Sequence, residues 1–314
     1  MKAVINRGYQ PYQGKKYPRI LRFWPIFRNE IATLWKLKRV KFFVYSFLGT
    51  ALFYGAISII FEFFLKSSNI QTPPFLQNLN SKMVYKHFQD TMLPWLFIFC
   101  AIVGGGAISN DLKSKAMPLY FSKPLGWSIY LFGKVTIIAI AVFLVIFIPG
   151  VFIFLIKILV SNTPKAIFQE EYPYLFGMFF NALFILIVLT PIILVISSLT
   201  ESYNIAMISF IVLMLFLGGV ARFFAVHDPE GMGKNSLAID IAFGLKHSGE
   251  KFFPETKNDL KFQWPSGHNN HRHQGPPPPD KVEDEFWVQL NLVLWILGSL
   301  VILFRRLNKI EVSE

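Results

Sequence analysis

Six long apolar stretches constrain the fold of this chain more than any other feature of its sequence. Each reaches the roughly 20 residues that a helix needs to cross a hydrocarbon core about 30 Å thick. They are apolar on every face, whereas barrel strands alternate apolar and polar residues. The sequence therefore predicts an all-α integral membrane protein with six transmembrane helices, at about 41–65, 90–109, 131–160, 174–198, 203–224 and 286–304.

The composition agrees with a chain that lies mostly in a membrane. Hydrophobic residues make up 53% of the 314 residues and charged residues only 16%, which leaves too little polar surface for a soluble globule. We expect no secretory signal peptide, because the first apolar run starts only near Lys41 and has no small-residue cleavage site. The single cysteine, Cys100, excludes an intrachain disulfide.

Positive charges are distributed unevenly between the two sides of the predicted bundle. Eleven Lys and Arg precede or enter the first helix, four lie within 110–134 and three follow the last helix, whereas the loops 66–89 and 157–173 together carry five. By the positive-inside rule, both termini and the 110–134 segment are cytosolic, and we expect a multi-pass protein of the bacterial cytoplasmic (inner) membrane. The net charge of +12 thus indicates orientation, and no nucleic-acid partner is expected.

Several regions follow from this topology. Before the first span, Ile20, Trp24, Phe27, Ile31 and Leu34 have helical spacing, which predicts a cationic amphipathic helix in the headgroup plane. The alternative is an extended foot of the first spanning helix. The predicted regions are a lead-in with the interfacial helix at 1–39, helices 1–5 at 40–224 with a cytosolic loop at 110–128, an extracytoplasmic loop at 225–285, helix 6 at 286–304 and a cytosolic tail at 305–314.

Glycines, prolines and short connections predict local details. Gly104, Gly105 and Gly106 indicate either the close approach of another backbone or a flexible helix end. Pro149 and Gly150 predict a kink or a break near the outer third of the third span. Residues 200–203 predict an antiparallel hairpin closed on the cytosolic side, and residues 236–246 predict a short helix in a loop that caps the extracytoplasmic mouth.

Ionisable residues are absent from the middle of every predicted span. Glu62, Lys157 and Arg222 lie near helix ends, where each is expected to snorkel to an interface. This pattern argues against ion-coupled transport and a proton relay. Energy for uphill transport is therefore expected from a partner.

No motif in the chain supports a nucleotide, hydrolytic or defined metal site. The stretch GMGKNS at 231–236 has Asp228 in place of the first Walker A glycine and Asn235 in place of Ser or Thr. His268, His271 and His273 form H-x-x-H-x-H in a Gly, Asn and Pro context, for which a solvated loop is favoured over a metal site. A metal transporter that uses this loop remains an alternative.

The segment AISNDLKSKAMPLYFSKPLGWSIYLFGK at 107–134 interrupts the apolar sequence. Ile108, Leu112, Ala116 and Leu119 line one helical face, and charged residues supply another. Such a helix can take a push from a docked cytosolic protein and pass it to two spanning helices. The alternative is an ordinary solvated loop.

This segment resembles the loop between helices two and three in permease subunits of type-2 ABC exporters. The matching residues are Ile108-Ser109, Asp111, Lys113, Leu119, Ser122-Lys123-Pro124 and Gly133-Lys134. Ala116-Met117-Pro118 departs from the Gly-Thr-Leu element of the family, and Trp127 stands where an arginine is common.

The resemblance implies a permease subunit that works with two copies of a cytosolic ABC ATPase and with a second permease, as a homodimer or sister heterodimer. The chain itself is then not an enzyme and holds no cofactor, and ATP and Mg belong to the partner. Substrate passes between the halves, and export of a lipid-like or hydrophobic molecule is expected. A membrane anchor or assembly subunit without transport activity is the alternative. The implied ATPase-coupling residues are Asn110, Asp111, Lys113, Lys115, Met117, Leu119, Tyr120, Phe121, Lys123 and Glu201.

Overall fold

The computed structural model describes residues 24–67, 81–117, 127–160, 163–227, 232–253 and 285–312. Over these residues the chain is 93% helix and contains no strand. The helices are α1 (Trp24–Lys36), α2 (Lys38–Ser67), α3 (Ser81–Gly104), α4 (Gly106–Lys113), α5 (Trp127–Val145), α6 (Phe147–Val160), α7 (Pro164–Leu199), α8 (Tyr203–His227), a 3₁₀ helix (Met232–Ile239), α9 (Ile241–Glu250) and α10 (Glu285–Val312).

Six segments of the described chain are long and apolar enough to cross a membrane, which confirms the six spans predicted from the sequence. The second span combines α3 with α4, and the third combines α5 with α6. The segments are Lys38–Ile60, Val84–Lys113, Trp127–Val160, Pro164–Leu199, Tyr203–His227 and Glu285–Asn308.

Helix α7 forms the centre of the bundle and contacts α3, α5, α6, α8 and α10. The most apolar stretch of α7 is 67% buried inside the protein, whereas the corresponding stretches of α8 and α10 are only 22% buried. The strongly exposed apolar faces of α8 and α10 suit lipid or another membrane protein. We call the end of the bundle that carries α4 the Asp111 end, and the end that carries α9 the Asp90 end.

The predicted break in the third span and the predicted hairpin are both present. The third span breaks at Ile146, so that Pro149 falls in the first turn of α6, where its missing N–H is tolerated. Helices α7 and α8 are joined by residues 200–202 and form an antiparallel hairpin.

Residues 232–253 fold back onto the bundle at the Asp90 end. The Ser236 hydroxyl donates to the carbonyl oxygen of Ala221 at 2.8 Å, and Asp240 lies beside Gly218, about 13 Å along α8 from its end at His227. Helix α9 then packs against α3, α7 and α10. The sequence predicts one helix over 236–246, but the backbone turns at Asp240, whose carboxylate caps α9.

Some boundaries differ from those predicted. Helix α8 continues to His227, beyond the predicted start of the external loop at 225, and α10 continues through the predicted tail to Val312. Only Leu37 separates α1 from α2, yet α1 packs against α5 as well as α2. This packing favours a separate helix over a simple extension of the first span; its location in the headgroup plane stays a prediction.

Candidate functional site

Helices α3 and α4 meet at a break in the second span at Gly105. The Ser197 hydroxyl of α7 accepts hydrogen bonds from the N–H groups of Ile108, at 2.9 Å, and Ser109, at 3.0 Å. The same hydroxyl donates to the carbonyl oxygen of Gly105 at 2.9 Å. Ser197 thus does for α4 what an N-cap residue normally does, and it ties α4 to the central helix in a site without solvent access.

The glycine triplet lies where α3 approaches the beginning of α8. A β-carbon on Gly105 would stand 2.6 Å from the carbonyl oxygen of Ala101 and 3.1 Å from the backbone nitrogen of Met207. Tyr203, the first residue of α8, donates its hydroxyl to the carbonyl oxygen of Ile102 at 3.2 Å. Of the two interpretations of the triplet, the structure supports the close approach of another backbone.

A charged cluster joins α4, α5 and α1. The side chain of Lys134 is 1% exposed, and its Nζ forms ion pairs with Asp111, at 2.7 Å, and with Glu30. Tyr130 donates its hydroxyl to Asp111 Oδ2 at 2.7 Å, and the centre of its ring lies 5.1 Å from Lys134 Nζ. A buried ammonium group requires such compensation. We call Glu30, Asp111, Tyr130 and Lys134 the Lys134 cluster.

Glu30 reaches this cluster because it lies on the inner face of α1. Phe27, Ile31 and Leu34 are partly buried on that face, whereas Arg28 is exposed. The sequence pattern alone did not identify Glu30, Tyr130 or Ser197 as functional candidates. For Glu30 a signal exists: a carboxylate three residues after Phe27, within an apolar helical face, predicts an internal partner.

Helix α4 ends at Lys113 in a Schellman motif. The Ala116 N–H donates to the carbonyl oxygen of Asp111 at 2.9 Å, and the Lys115 N–H donates to that of Leu112 at 3.1 Å. Lys115 has a φ of 51°, in the left-handed region that favours glycine. The prediction that Ala116 continues the helical face of Ile108 and Leu112 is therefore wrong, because the helix ends before it.

The predicted coupling residues fall into three groups. Asn110, Lys113, Lys115 and Glu201 are exposed at the Asp111 end, where the contact of Tyr203 with α3 brings the α7–α8 turn close to α4. Asp111 belongs to the Lys134 cluster, and Met117 is buried. Leu119, Tyr120, Phe121 and Lys123 lie outside the described residues.

A second buried ion pair lies near the Asp90 end. Lys157 Nζ of α6 is 2.8 Å from Glu171 Oε1 of α7, and the two side chains are 8% and 6% exposed. The ring centre of Tyr85 lies 5.1 Å from the same Nζ, and Tyr174 stacks on Tyr85. The expectation that Lys157 snorkels to an interface is wrong, because a carboxylate from the next helix reaches it inside the protein.

A cavity of about 740 Å³ also lies near the Asp90 end, between α3, α8, the 3₁₀ helix and α9. Two ion pairs join α3 to α9 along its edge: Asp90 with Lys246, at 3.0 Å, and Lys86 with Glu250. Arg222, which the sequence placed at a helix end, is exposed and lines this cavity.

Asp240, at the turn before α9, provides a test of how this fold-back segment is stabilised. Its Oδ1 accepts a hydrogen bond from the Ala242 N–H at 2.9 Å, and the residue is 2% exposed. Burial raises the pKa of the Asp240 carboxyl above its ordinary value, although the backbone N–H groups of Ala242 and Phe243 and the charge of Arg222 oppose the shift. Because the pKa of this carboxyl is higher in the folded state, the folded protein binds the proton more tightly than the unfolded chain. The resulting stabilisation is fully present below the pKa of the unfolded chain and is lost as the pH rises through the pKa of the folded protein.

We therefore expect Asp240→Asn, which keeps a capping oxygen without the charge, to melt at a higher temperature than wild type, with a difference that grows as the pH rises from about 4 to about 7. Asp240→Ala loses the cap and should be less stable than Asp240→Asn by about 1 kcal/mol. Thermal unfolding of the purified variants at both pH values measures this. A difference between Asn and wild type that does not change with pH would contradict it.

Metal ligands do not cluster in the described part of the chain: no three His, Cys, Asp or Glu side chains come together there in a metal-binding arrangement. His268, His271 and His273 lie outside the described residues.

An all-helical bundle with six segments able to cross a membrane defines a multi-pass membrane protein. Residues 24–309 match the family model described as ABC-2 family transporter protein, and the chain belongs to this family. The match confirms the resemblance seen in the 107–134 segment and supports a permease subunit of an ABC transporter. No curated protein and no solved structure matches the chain significantly.

Proposed function

We propose that the chain receives motion from separate cytosolic ATPase subunits at its Asp111 end and uses it to export a lipid-like or hydrophobic substrate. The Lys134 cluster is the observation that carries this proposal. It connects the amphipathic helix α1, the short helix α4 and the third span through one buried ammonium group. Three elements that share such a cation move together when one of them is pushed.

The hydrogen bonds of Ser197 extend this connection to the centre of the bundle. A displacement of α4 reaches α7 through the bonds from Ile108 and Ser109 to the Ser197 hydroxyl. The close approach of Gly105 to Met207 extends it to α8. The exposed Asn110, Lys113, Lys115 and Glu201 then offer a polar surface to the ATPase at the same end.

The distribution of positive charge supports the orientation. Eleven Lys and Arg precede or enter the first span, and three follow the last one. This bias supports an orientation with the Asp111 end and both termini in the cytosol, and we place the protein in a bacterial inner membrane.

Membership of the ABC-2 transporter family supports separate ATPase partners. The chain encodes no complete Walker A motif, and we assign ATP and Mg to two cytosolic ATPase subunits. The exposed apolar faces of α8 and α10 leave room for a second permease subunit beside this one. The substrate passes between the two permease subunits, and residues 232–253 cover the extracytoplasmic side.

Acidic substitutions in the loop after α4 test the coupling. We expect Leu119→Asp and Phe121→Asp to insert normally but to lower the ATP hydrolysis that substrate stimulates in the assembled complex. Both positions lie outside the described residues, and a carboxylate at either one would oppose the apolar contact with the ATPase that we propose for this segment. Stimulated hydrolysis is measured with the purified complex in lipid nanodiscs.

Asn308→Asp is the matched control, because it adds the same charge to an exposed position at the same end. It should leave stimulation at the wild-type level. Unchanged stimulation in both loop variants would contradict the assignment of this loop. An anchor subunit without transport activity would instead support hydrolysis that no substrate stimulates.

A further inference from the structure

The cavity at the Asp90 end has the size and the mixed charged and apolar lining of a site for an amphipathic molecule. Its volume of about 740 Å³ falls within the ~300–1,000 Å³ typical of small-molecule sites. Along α3 the lining changes from Lys86 and Asp90 to Leu93, Pro94 and Phe97, over about 16 Å. The cavity is therefore lined by both charged and apolar side chains.

Most charges of the lining are already compensated within the protein. Lys86 is paired with Glu250, and Lys246 is paired with Asp90. The carboxylate of Asp240 caps the first turn of α9. The two ion pairs hold α9 against α3, and their four side chains have little charge left for a ligand.

Arg222 differs from the lysines of this lining. In the described part of the chain its guanidinium forms no ion pair at contact distance. Asp240 is close enough to attract it electrostatically, but Oδ1 of that carboxylate accepts a hydrogen bond from the Ala242 N–H. Ala225 and Val226 follow Arg222 by one helical turn on α8 and are apolar, and Phe243 of α9 lines the same cavity. A guanidinium next to apolar walls suits a carboxylate or phosphate that carries a hydrocarbon chain.

We propose that this cavity binds an amphipathic anion, with the acidic head on Arg222 and the hydrocarbon part along Phe97, Val226 and Phe243. This inference rests on the proposed function, because it names the class of substrate that the permease moves. The proposed substrate class is narrower than lipid-like molecules in general, because its members carry an anionic head.

Two probes with the same tail test the proposal. The purified full-length chain in nanodiscs of neutral lipid is titrated with fluorescent 12-NBD-dodecanoic acid and with its uncharged methyl ester, and empty nanodiscs are subtracted. We expect the acid to bind about tenfold more tightly, as one charge-assisted hydrogen bond allows. Excess inorganic phosphate should not displace it. Displacement by phosphate alone would identify a free-anion site and overturn the proposal.

Variants assign the preference to one residue. Arg222→Gln should reduce the preference for the acid to less than about twofold and leave binding of the ester unchanged. Lys165→Gln is the matched control, because it removes a positive charge from an exposed position at the same end, outside the lining. A preference that survives Arg222→Gln, or no binding of either probe, would overturn the proposal.

The outcome is independent of the coupling test. If neither probe binds but Leu119→Asp and Phe121→Asp still lower stimulated hydrolysis, the substrate class is wrong and the permease function stands. If the acid binds at Arg222 but the loop variants have no effect, the cavity assignment stands and the coupling assignment fails.

Discussion

Replacement of Lys134 by methionine is expected to lower the free energy of unfolding by about 3–5 kcal/mol, the usual effect of removing one partner from a buried ion pair. Methionine has a similar length but leaves Glu30 and Asp111 without their shared cation. Their side chains are only 22% and 14% exposed, so solvent compensates them poorly. Thermal or denaturant unfolding of the purified chain measures the loss.

The same variant should also lower substrate-stimulated ATP hydrolysis per folded complex, because α1 and α4 are no longer tied to the third span. The triple variant Glu30→Gln, Asp111→Asn, Lys134→Met separates the two effects. It removes the uncompensated charges and should recover most of the stability. Stimulated hydrolysis should stay low, because the ionic connection is still missing. Normal stimulation in the Lys134→Met variant would contradict the role of the cluster.

The spans could be predicted because each depends only on local composition. A run of apolar residues long enough to cross a bilayer is visible without knowledge of its neighbours. The break near Pro149 and the hairpin at 200–202 were predictable for the same reason, since proline chemistry and loop length act locally. The inner face of α1 follows from the spacing of Phe27, Ile31 and Leu34.

The Lys134 cluster could not be predicted in this way. Glu30 and Lys134 are 104 residues apart, and no helical period relates them. The resemblance marked Asp111 and Lys134 separately, but it did not pair them. Their contact follows from how α1 packs on α5, which is a property of the tertiary structure.

Two local errors have different causes. The end of α4 could not be predicted because glycine is the usual sequence signal for a left-handed residue at a helix end, and here that residue is Lys115. The turn before α9 was missed although its signal was present: Asp240 precedes an apolar helical segment, as an N-cap residue does.

Removal of the buried cation of Lys157 should destabilise the protein as much as removal of Lys134 but should leave coupling to the ATPase intact. Lys157→Met should also lower the free energy of unfolding by about 3–5 kcal/mol, because Glu171 is 6% exposed and loses the cation that compensates it. The pair lies towards the Asp90 end and joins α6 to α7, away from α1 and α4. Stimulated ATP hydrolysis per folded complex should therefore stay near the wild-type level.

The double variant Lys157→Met, Glu171→Gln controls for the isolated carboxylate and should recover much of the lost stability. Unfolding and hydrolysis are measured on the same preparations, so that activity is normalised to the folded fraction. If Lys157→Met lowers stimulation as strongly as Lys134→Met, both losses reflect general destabilisation and the special role of the Lys134 cluster is refuted. Equal destabilisation with loss of coupling only in Lys134→Met assigns the coupling to the cation shared by α1, α4 and α5.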